Sequence, residues 1–260
     1  MIPGSDSTSQ RQQKSPDKTN NDMNHFDTPA FVRIIGFGDA TVGPINLING
    51  LDYDGIDAFV YDPEHPYIPT NEDRMVILLA DSPSAALEST AKTSIEADML
   101  TLGVFSGDAC RFSSQNFDSV SIVSPANLFE TVKSLLDSII LPAQLCFDLN
   151  DLRSTLSKTE RFLIISASTP IADGLKGVLE NLYGKLTAKQ KETISEMAVL
   201  LTTDPEGKGQ LTMSVVKHLS DFITELPDNI GLAWAMNTDC NLTPNTLKVT
   251  FILAGKEMPL

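Results

Sequence analysis

The stretch Leu141-Pro-Ala-Gln-Leu-Cys-Phe-Asp-Leu-Asn-Asp-Leu152 follows a strongly apolar segment and carries two carboxylates, Asp148 and Asp151. In the preceding segment, apolar residues recur at the spacing of one helical face, between Pro125 and Pro142. These residues are Leu128, Val132, Leu135, Leu136, Ile139 and Ile140. The pattern predicts a buried helix that ends in a loop, with two acids at the start of the helix that follows.

Two roles are open to Asp148 and Asp151 on this pattern. Acids at a helix N-terminus commonly cap free backbone N–H groups and interact favourably with the helix dipole. Ionised carboxylates on an exposed loop can also act on a water molecule that lies within hydrogen-bonding distance. The spacing of the two acids is compatible with both roles.

The rest of the chain alternates short apolar runs with helical patterns, which is typical of a mainly parallel sheet covered by helices. In the first half, the predicted strands are 31–35, 58–61, 74–80, 99–105 and 120–123. In the second half, they are 161–168, 197–202, 230–236 and 247–253, with helices over 171–182 and 211–226 and a polar link at 187–192. The predicted fold class is α/β, with a Rossmann-like domain followed by a smaller mixed α/β domain.

The composition changes along the chain suggest four regions. Residues 1–29 are rich in polar residues and are predicted to form a disordered arm. Residues 30–142 form the Rossmann-like domain together with the core helix, and residues 143–256 form the second domain. Residues 257–260 are a short tail.

Charge and cysteine content exclude several classes of function. The formal net charge of −15 opposes binding to a nucleic-acid backbone or to an anionic membrane surface. No apolar run reaches the length of a membrane span, so direct membrane insertion is not expected. Cys110, Cys146 and Cys240 match neither a disulfide framework nor a zinc pattern, and the three histidines form no metal-like pair. A cytoplasmic protein without a metal is expected.

Several stretches together resemble FtsZ, the bacterial member of the tubulin superfamily. The family's catalytic T7 loop has an N-x-D-x-x-D pattern, and here both acids match while Cys146 replaces the Asn. The segment Asn229–Gly255 is similar to the family's last hairpin, whose pattern ends in V-T-V-I-A-T-G, and Val32–Asn46 looks like its first strand and glycine-rich T1 loop. The resemblance covers roughly residues 31–256.

The resemblance implies a GTPase-type domain whose hydrolysis is completed between subunits. In FtsZ, the T7 acids of one protomer reach the nucleotide pocket of the next and polarise the attacking water, a role that would fall to Asp148 and Asp151 acting in trans. The cofactor implied is GTP or GDP. The corresponding pocket positions in this chain are Gly36, Gly38, Asp39, Gly43, Asp81, Ser82 and Ser84.

The pocket positions depart from the family pattern at the point where phosphate would bind. The family places G-G-G-T-G-T-G there so that backbone N–H groups can close on phosphate oxygens. In this chain, residues 81–88 take the place of that loop and read D-S-P-S-A-A-L-E. Pro83 lacks an N–H, and both Asp81 and Glu88 add negative charge. The segment 61–74 is too short for the family's T3 loop, and Pro125 aligns with an Asp that contacts guanine. No bound cofactor is therefore expected.

The leading prediction is a cell-division-related protein that does not hydrolyse GTP and that interacts with FtsZ filaments through its T7-like loop. One alternative is a divergent GTP-binding homologue that polymerises with itself through longitudinal, tubulin-like contacts. A second is a small-molecule or dinucleotide-binding module, suggested by Gly36-x-Gly38-x-x-Thr41 with Asp62 about twenty residues later.

Overall fold

A computed structural model describes residues 31–107, 112–157, 159–171, 174–205 and 213–259. The predicted N-terminal arm, Cys110 and part of the tail therefore lie outside the described residues. Within them, ten strands form one sheet in the order β2-β1-β3-β4-β5-β7-β10-β8-β9-β6. The strands are β1 Val32–Phe37, β2 Ile56–Val60, β3 Met75–Ala80, β4 Leu100–Ser106, β5 Ser119–Val123, β6 Ala143–Leu145, β7 Glu160–Pro170, β8 Glu196–Thr203, β9 Gly231–Thr238 and β10 Thr246–Gly255.

Seven α-helices cover this sheet in the described part of the chain. They are α1 Val42–Asn49, α2 Ala85–Glu96, α3 Leu128–Ile140, α4 Leu149–Leu156, α5 Leu175–Gly184, α6 Ala188–Thr193 and α7 Met213–Thr224. The predicted strands and the predicted core helix are all present. Strand β6 was not predicted, and the predicted polar link at 187–192 is wrong in detail because α6 forms there, capped by Thr187 and Gln190.

The first five strands are parallel, so their carboxyl ends meet along one edge of the sheet and their amino ends along the other. We call these the carboxyl edge and the amino edge. In the second half, β10 runs antiparallel to both β7 and β8, and β6 runs antiparallel to β9. The sheet is continuous because β5 pairs with the start of β7. The boundary at residue 142 stays a prediction.

The two faces of the sheet are covered differently. On one face, α1, α3 and α4 pack on a single apolar cluster that includes residues from both halves of the chain, among them Leu135, Leu152 and Ile252. On the other face, α2 covers the first half over an aromatic-rich cluster, and α5 and α7 cover the second half. The shared cluster ties the two halves together.

A buried ion cluster anchors the loop between β2 and β3. Arg33 on β1 is 2% exposed; its Nε donates to Asp73 Oδ1 at 2.7 Å and its Nη1 donates to Asp57. Asp73 Oδ2 accepts from the Tyr67 hydroxyl at 3.0 Å and from the Thr70 backbone N–H at 2.8 Å. Burial by itself raises the pKa of Asp73, but hydrogen bonds from Thr70 and Arg33 outweigh it and hold that pKa below its ordinary value.

Replacing the central guanidinium tests how much this cluster contributes to stability. The substitution Arg33→Met removes the guanidinium from the buried Asp73 and the partly buried Asp57, and we expect a loss of about 3–5 kcal/mol in the free energy of unfolding. Urea denaturation at neutral pH measures the change. Lys176→Met is the matched control, because the Lys176–Glu180 pair is exposed and such pairs contribute about 0–1 kcal/mol. Equal losses for the two variants would contradict the anchoring role.

Candidate functional site

A cleft opens at the carboxyl edge, where ligands bind in open α/β sheets. Its volume is about 220 Å³, and it is lined by Phe37, Gly38, Tyr61, Ser82, Ser84 and Ala86. Small-molecule sites commonly occupy about 300–1,000 Å³, so this cleft suits a small ligand or a single side chain. The structure thus brings together three of the predicted pocket residues, Gly38, Ser82 and Ser84.

Two aromatic side chains form one wall of the cleft. The rings of Phe37 and Tyr61 stack with centroids 4.8 Å apart and planes inclined by 23°. Phe37 ends β1, and Tyr61 directly follows β2. Sequence reasoning missed both residues, although aromatic residues at the carboxyl ends of neighbouring parallel strands are a signal that could have indicated them.

The turn between β3 and α2 also lines the cleft, through Ser82 and Ser84. The Ser84 hydroxyl oxygen accepts a hydrogen bond from the Leu87 backbone N–H at 3.1 Å and caps α2. The Ser82 hydroxyl donates to Asp81 Oδ1 at 3.0 Å. Since Pro83 has no N–H and the Leu87 N–H is already bonded to Ser84, neither position can donate to a ligand at this helix start.

The turn after β1 explains two of the predicted glycines by backbone geometry. A Cβ on Gly36 would overlap the side chain of Thr41, whose hydroxyl donates to the Gly38 carbonyl at 2.7 Å. Gly38 has a φ of 89°, which side chains rarely adopt. Gly43 has open space around its Cβ position, and neither Gly43 nor the exposed Asp39 lines the cleft.

The electrostatics of the cleft are negative. Asp81 does not itself line the cleft, but its Oδ1 lies 3.3 Å from the position of a Cβ on Gly38, which does, so the carboxylate stands beside the cleft. Glu88 lies in the first turn of α2 and accepts from Asn116 Nδ2 at 3.1 Å. None of the described lining residues is basic. The residues present do not fit the phosphate groups of a guanine nucleotide, because Pro83 lacks an N–H, side chains replace the glycines of a phosphate loop, and the adjacent carboxylates repel anions.

Asp62, the acid of the dinucleotide-like pattern, is exposed beyond β2. It accepts from the Glu64 backbone N–H at 2.9 Å and lies 2.9 Å from His65 Nδ1. This contact with His65 lowers the pKa of Asp62. Asp62 is not among the cleft-lining residues. The described residues contain no group of three or more His, Cys, Asp or Glu that could hold a metal ion.

The T7-like loop, residues 142–151, begins as a short edge strand. In β6, Ala143 pairs with Asn237 and Leu145 pairs with Met236 on β9. Residues 143–146 are exposed, including the free thiol of Cys146, while Phe147 is 4% exposed and packs in the shared apolar cluster. The loop is therefore fixed at both ends and presented to solvent between them.

Asp148 and Asp151 form a reciprocal capping box at the start of α4. Asp148 Oδ1 accepts from the backbone N–H groups of Asn150 at 2.7 Å and Asp151 at 3.1 Å, and Asp151 Oδ2 accepts from the Asp148 N–H at 3.0 Å. Both side chains are exposed. Asp148 Oδ2 and Asp151 Oδ1 make no hydrogen bond within the described residues. The capping role is thus present, and one oxygen of each acid stays available.

The T7-like loop and the cleft lie at opposite edges of the sheet. Arg153, in the last turn of α4, donates to the Asp98 carbonyl at 2.8 Å, and Asp98 precedes β4 at the amino edge. At the end of α3, Asp137 accepts from the hydroxyl of Tyr53, which precedes β2 at the same edge. The six residues of β3 span about 20 Å at roughly 3.3 Å per residue, so the two edges, and with them the loop and the cleft, are about 20 Å apart.

Comparison with solved structures identifies the fold. The chain is similar to an empty FtsZ dimer from M. jannaschii, with a TM-score of 0.67, 12% identity, and coverage of 88% of this chain and 89% of that one. It is also similar to GDP-form protofilaments of TubZ from Bacillus thuringiensis serovar israelensis, with a TM-score of 0.60, 13% identity, and coverage of 91% and 87%.

No protein-family model and no curated protein sequence matches the chain. In the described residues, no helix has the length and apolarity that crossing a membrane requires. The likeness to the solved structures confirms the predicted α/β architecture. On this basis, the chain has the FtsZ/tubulin-like fold.

Proposed function

We propose that this chain is a non-hydrolysing, tubulin-like subunit that contacts the nucleotide-bearing end of an FtsZ- or TubZ-type subunit through its T7-like loop. The observation that carries the proposal is the difference between its two edges. Exposed acids remain at the amino edge, whereas a capped helix and a carboxylate stand where phosphate would bind at the carboxyl edge. The proposed setting is bacterial cell division in the cytoplasm.

The amino edge supports an acid-delivering role. Asp148 and Asp151 are held by backbone hydrogen bonds, so their free oxygens are presented without a large loss of side-chain entropy on binding. Pairing of β6 with β9 and burial of Phe147 fix the loop that carries them. A preorganised carboxylate of this kind can accept a hydrogen bond from a water molecule in a neighbouring site.

The features of the carboxyl edge support a subunit at which a row of longitudinal contacts stops. The Ser84 hydroxyl occupies the Leu87 N–H at the start of α2, and Asp81 adds negative charge beside it. A subunit with this end could bind a partner at one edge without offering a nucleotide to the next subunit. Contacts of this head-to-tail type extend only when both ends are complementary.

Electrostatics favour a nucleotide-bearing partner over a second copy of this chain. In head-to-tail stacking of identical copies, Asp148 and Asp151 would approach the cleft near Asp81, and like charges repel. A bound nucleotide commonly carries Mg²⁺, which carboxylates bind readily. The similar TubZ structures are protofilaments, which supports end-to-end association as the mode of contact.

The first test is co-sedimentation with filaments of FtsZ or TubZ from the same organism. We expect the wild-type chain to pellet with the filaments and the double variant Asp148→Asn/Asp151→Asn to bind about tenfold more weakly, equivalent to about 1.4 kcal/mol. Asparagine keeps the hydrogen-bond acceptors of the capping box but removes both charges. The double variant should therefore unfold at the same urea concentration as the wild type.

Two controls separate charge from folding. Asp148→Ala removes the cap and should lower the free energy of unfolding by about 1 kcal/mol. This loss shows that urea denaturation is sensitive enough to detect damage to the capping box. Glu192→Gln removes an exposed charge in the second half and should leave co-sedimentation unchanged. Co-sedimentation that is absent for the wild type, or equal for the wild type and the double variant, would contradict the proposed contact.

A thermal-shift measurement tests the alternative of a GTPase with an unconventional pocket. A ligand at a hundredfold excess over its Kd stabilises the native state by about 2.7 kcal/mol, or roughly 5–10 °C in Tm for a chain of this size. We expect no shift with millimolar GTP and Mg²⁺, because the residues at the cleft do not fit phosphate. A shift of that size, lost in a variant with Tyr61→Leu at the cleft, would favour the alternative.

A further inference from the structure

We infer that the cleft at the carboxyl edge binds an alkylammonium group, so that its ligand has the charge opposite to that of the nucleotide implied by the fold. The inference concerns the edge opposite to the T7-like loop and does not depend on the partner proposed there. The observations behind it are the aromatic wall, the Asp81 carboxylate beside the cleft, the lack of a basic residue in the described lining and the size of the cleft.

The aromatic wall favours a cation. Phe37 and Tyr61 stack on each other and both line the cleft. The face of an aromatic ring carries a negative quadrupole that attracts ammonium groups within about 6 Å of the ring centroid. The hydroxyl of Tyr61 makes no hydrogen bond to the described part of the chain, so its oxygen can accept one from a bound ammonium. Both features are unfavourable for a phosphate.

Asp81 supplies the opposite charge. Its Oδ1 accepts from the Ser82 hydroxyl and lies against Gly38, and both of these neighbours line the cleft. Its Oδ2 makes no hydrogen bond in the described residues. Because Gly38 has no side chain, the carboxylate can approach the cavity closely on this side. The hydroxyl oxygens of Ser82 and Ser84 are further acceptors for ammonium N–H groups.

The surrounding sequence strengthens the negative potential. Between Arg33 and Arg74 there is no Lys or Arg, whereas eight acids occur. They are Asp39, Asp52, Asp54, Asp57, Asp62, Glu64, Glu72 and Asp73. Asp57 and Asp73 are paired with Arg33, and Asp52, Asp54 and Glu72 precede β2 or β3 at the amino edge. The other three, Asp39, Asp62 and Glu64, follow β1 or β2 at the carboxyl edge and add to a field that attracts cations there.

The size of the cleft limits the ligand. A volume of about 220 Å³ is below the usual range of small-molecule sites, and it can accommodate an ammonium on a short alkyl stem. The apolar part of the lining, from Phe37, Tyr61 and Ala86, suits such a stem. The same group occurs in free alkylamines and at the end of a lysine side chain.

Titrations followed by amide NMR of the full chain test the inference. The probes are n-butylammonium chloride, its neutral isostere n-butanol, Nα-acetyl-lysine methylamide and inorganic phosphate. We expect n-butylammonium to shift the amide signals of Gly38, Ser82 and Ser84 and to bind roughly threefold to fivefold more tightly than n-butanol. Tighter binding of the lysine derivative than of n-butylammonium would assign the site to a peptide side chain, and the reverse would assign it to a free amine.

Matched variants localise the effect. Asp81→Asn is nearly isosteric at an exposed position and should weaken n-butylammonium binding roughly threefold, while Tyr61→Leu should remove the remaining preference over n-butanol. Asp228→Asn, at an exposed turn before β9, should change nothing.

Any one of three results would overturn the inference. The first is equal affinity for n-butylammonium and n-butanol, and the second is an unchanged affinity of Asp81→Asn for n-butylammonium. The third is a shift of the Gly38, Ser82 and Ser84 amide signals by phosphate alone. Failure of all probes to shift these signals would also reject the alkylammonium site, and it would leave the co-sedimentation result of the T7-like loop unaffected.

Discussion

The packing of α3 against the sheet is the constraint on which the arrangement of the two edges depends. The apolar face of this helix is completely buried at Leu128, Val132 and Leu135, within the cluster shared by both halves of the chain. Its last turn is tied down through Asp137, which accepts from the Tyr53 hydroxyl at 2.7 Å and from Lys133 Nζ at 2.6 Å. Because α3 runs from the carboxyl edge to the amino edge, the T7-like loop can only emerge opposite the cleft.

The two edges use the N-terminus of a helix in contrasting ways. At α2, Ser84 caps the helix at the position where the family would present backbone N–H groups to phosphate. At α4, Asp148 and Asp151 also cap the helix, yet both are exposed and each keeps one oxygen without a hydrogen bond in the described residues. A neutral cap at one edge and a charged cap at the other give the molecule its polarity. This polarity underlies both the proposed contact and the proposed cation site.

Much of the fold could be predicted because apolar runs mark buried strands and because α3 has a regular helical pattern. Strand β6 could not be predicted, since its three residues are exposed and its partner β9 lies some ninety positions away in the sequence. Helix α6 is too short for a periodic signal, although Thr187 and Gln190 have the spacing of a capping box. The site was only partly predictable: Gly38, Ser82 and Ser84 follow from the resemblance, whereas the stacking of Phe37 on Tyr61 and the Arg33 cluster join residues distant in sequence.

The proposed function requires that this FtsZ/tubulin-like fold binds no guanine nucleotide at its carboxyl edge and presents Asp148 and Asp151 to a neighbouring subunit at its amino edge. The first requirement is measured by quantifying the guanine nucleotide released on acid denaturation of the purified protein. We expect a content far below stoichiometric, even after incubation with GTP and Mg²⁺ followed by desalting. A stoichiometric amount of GTP or GDP would contradict it.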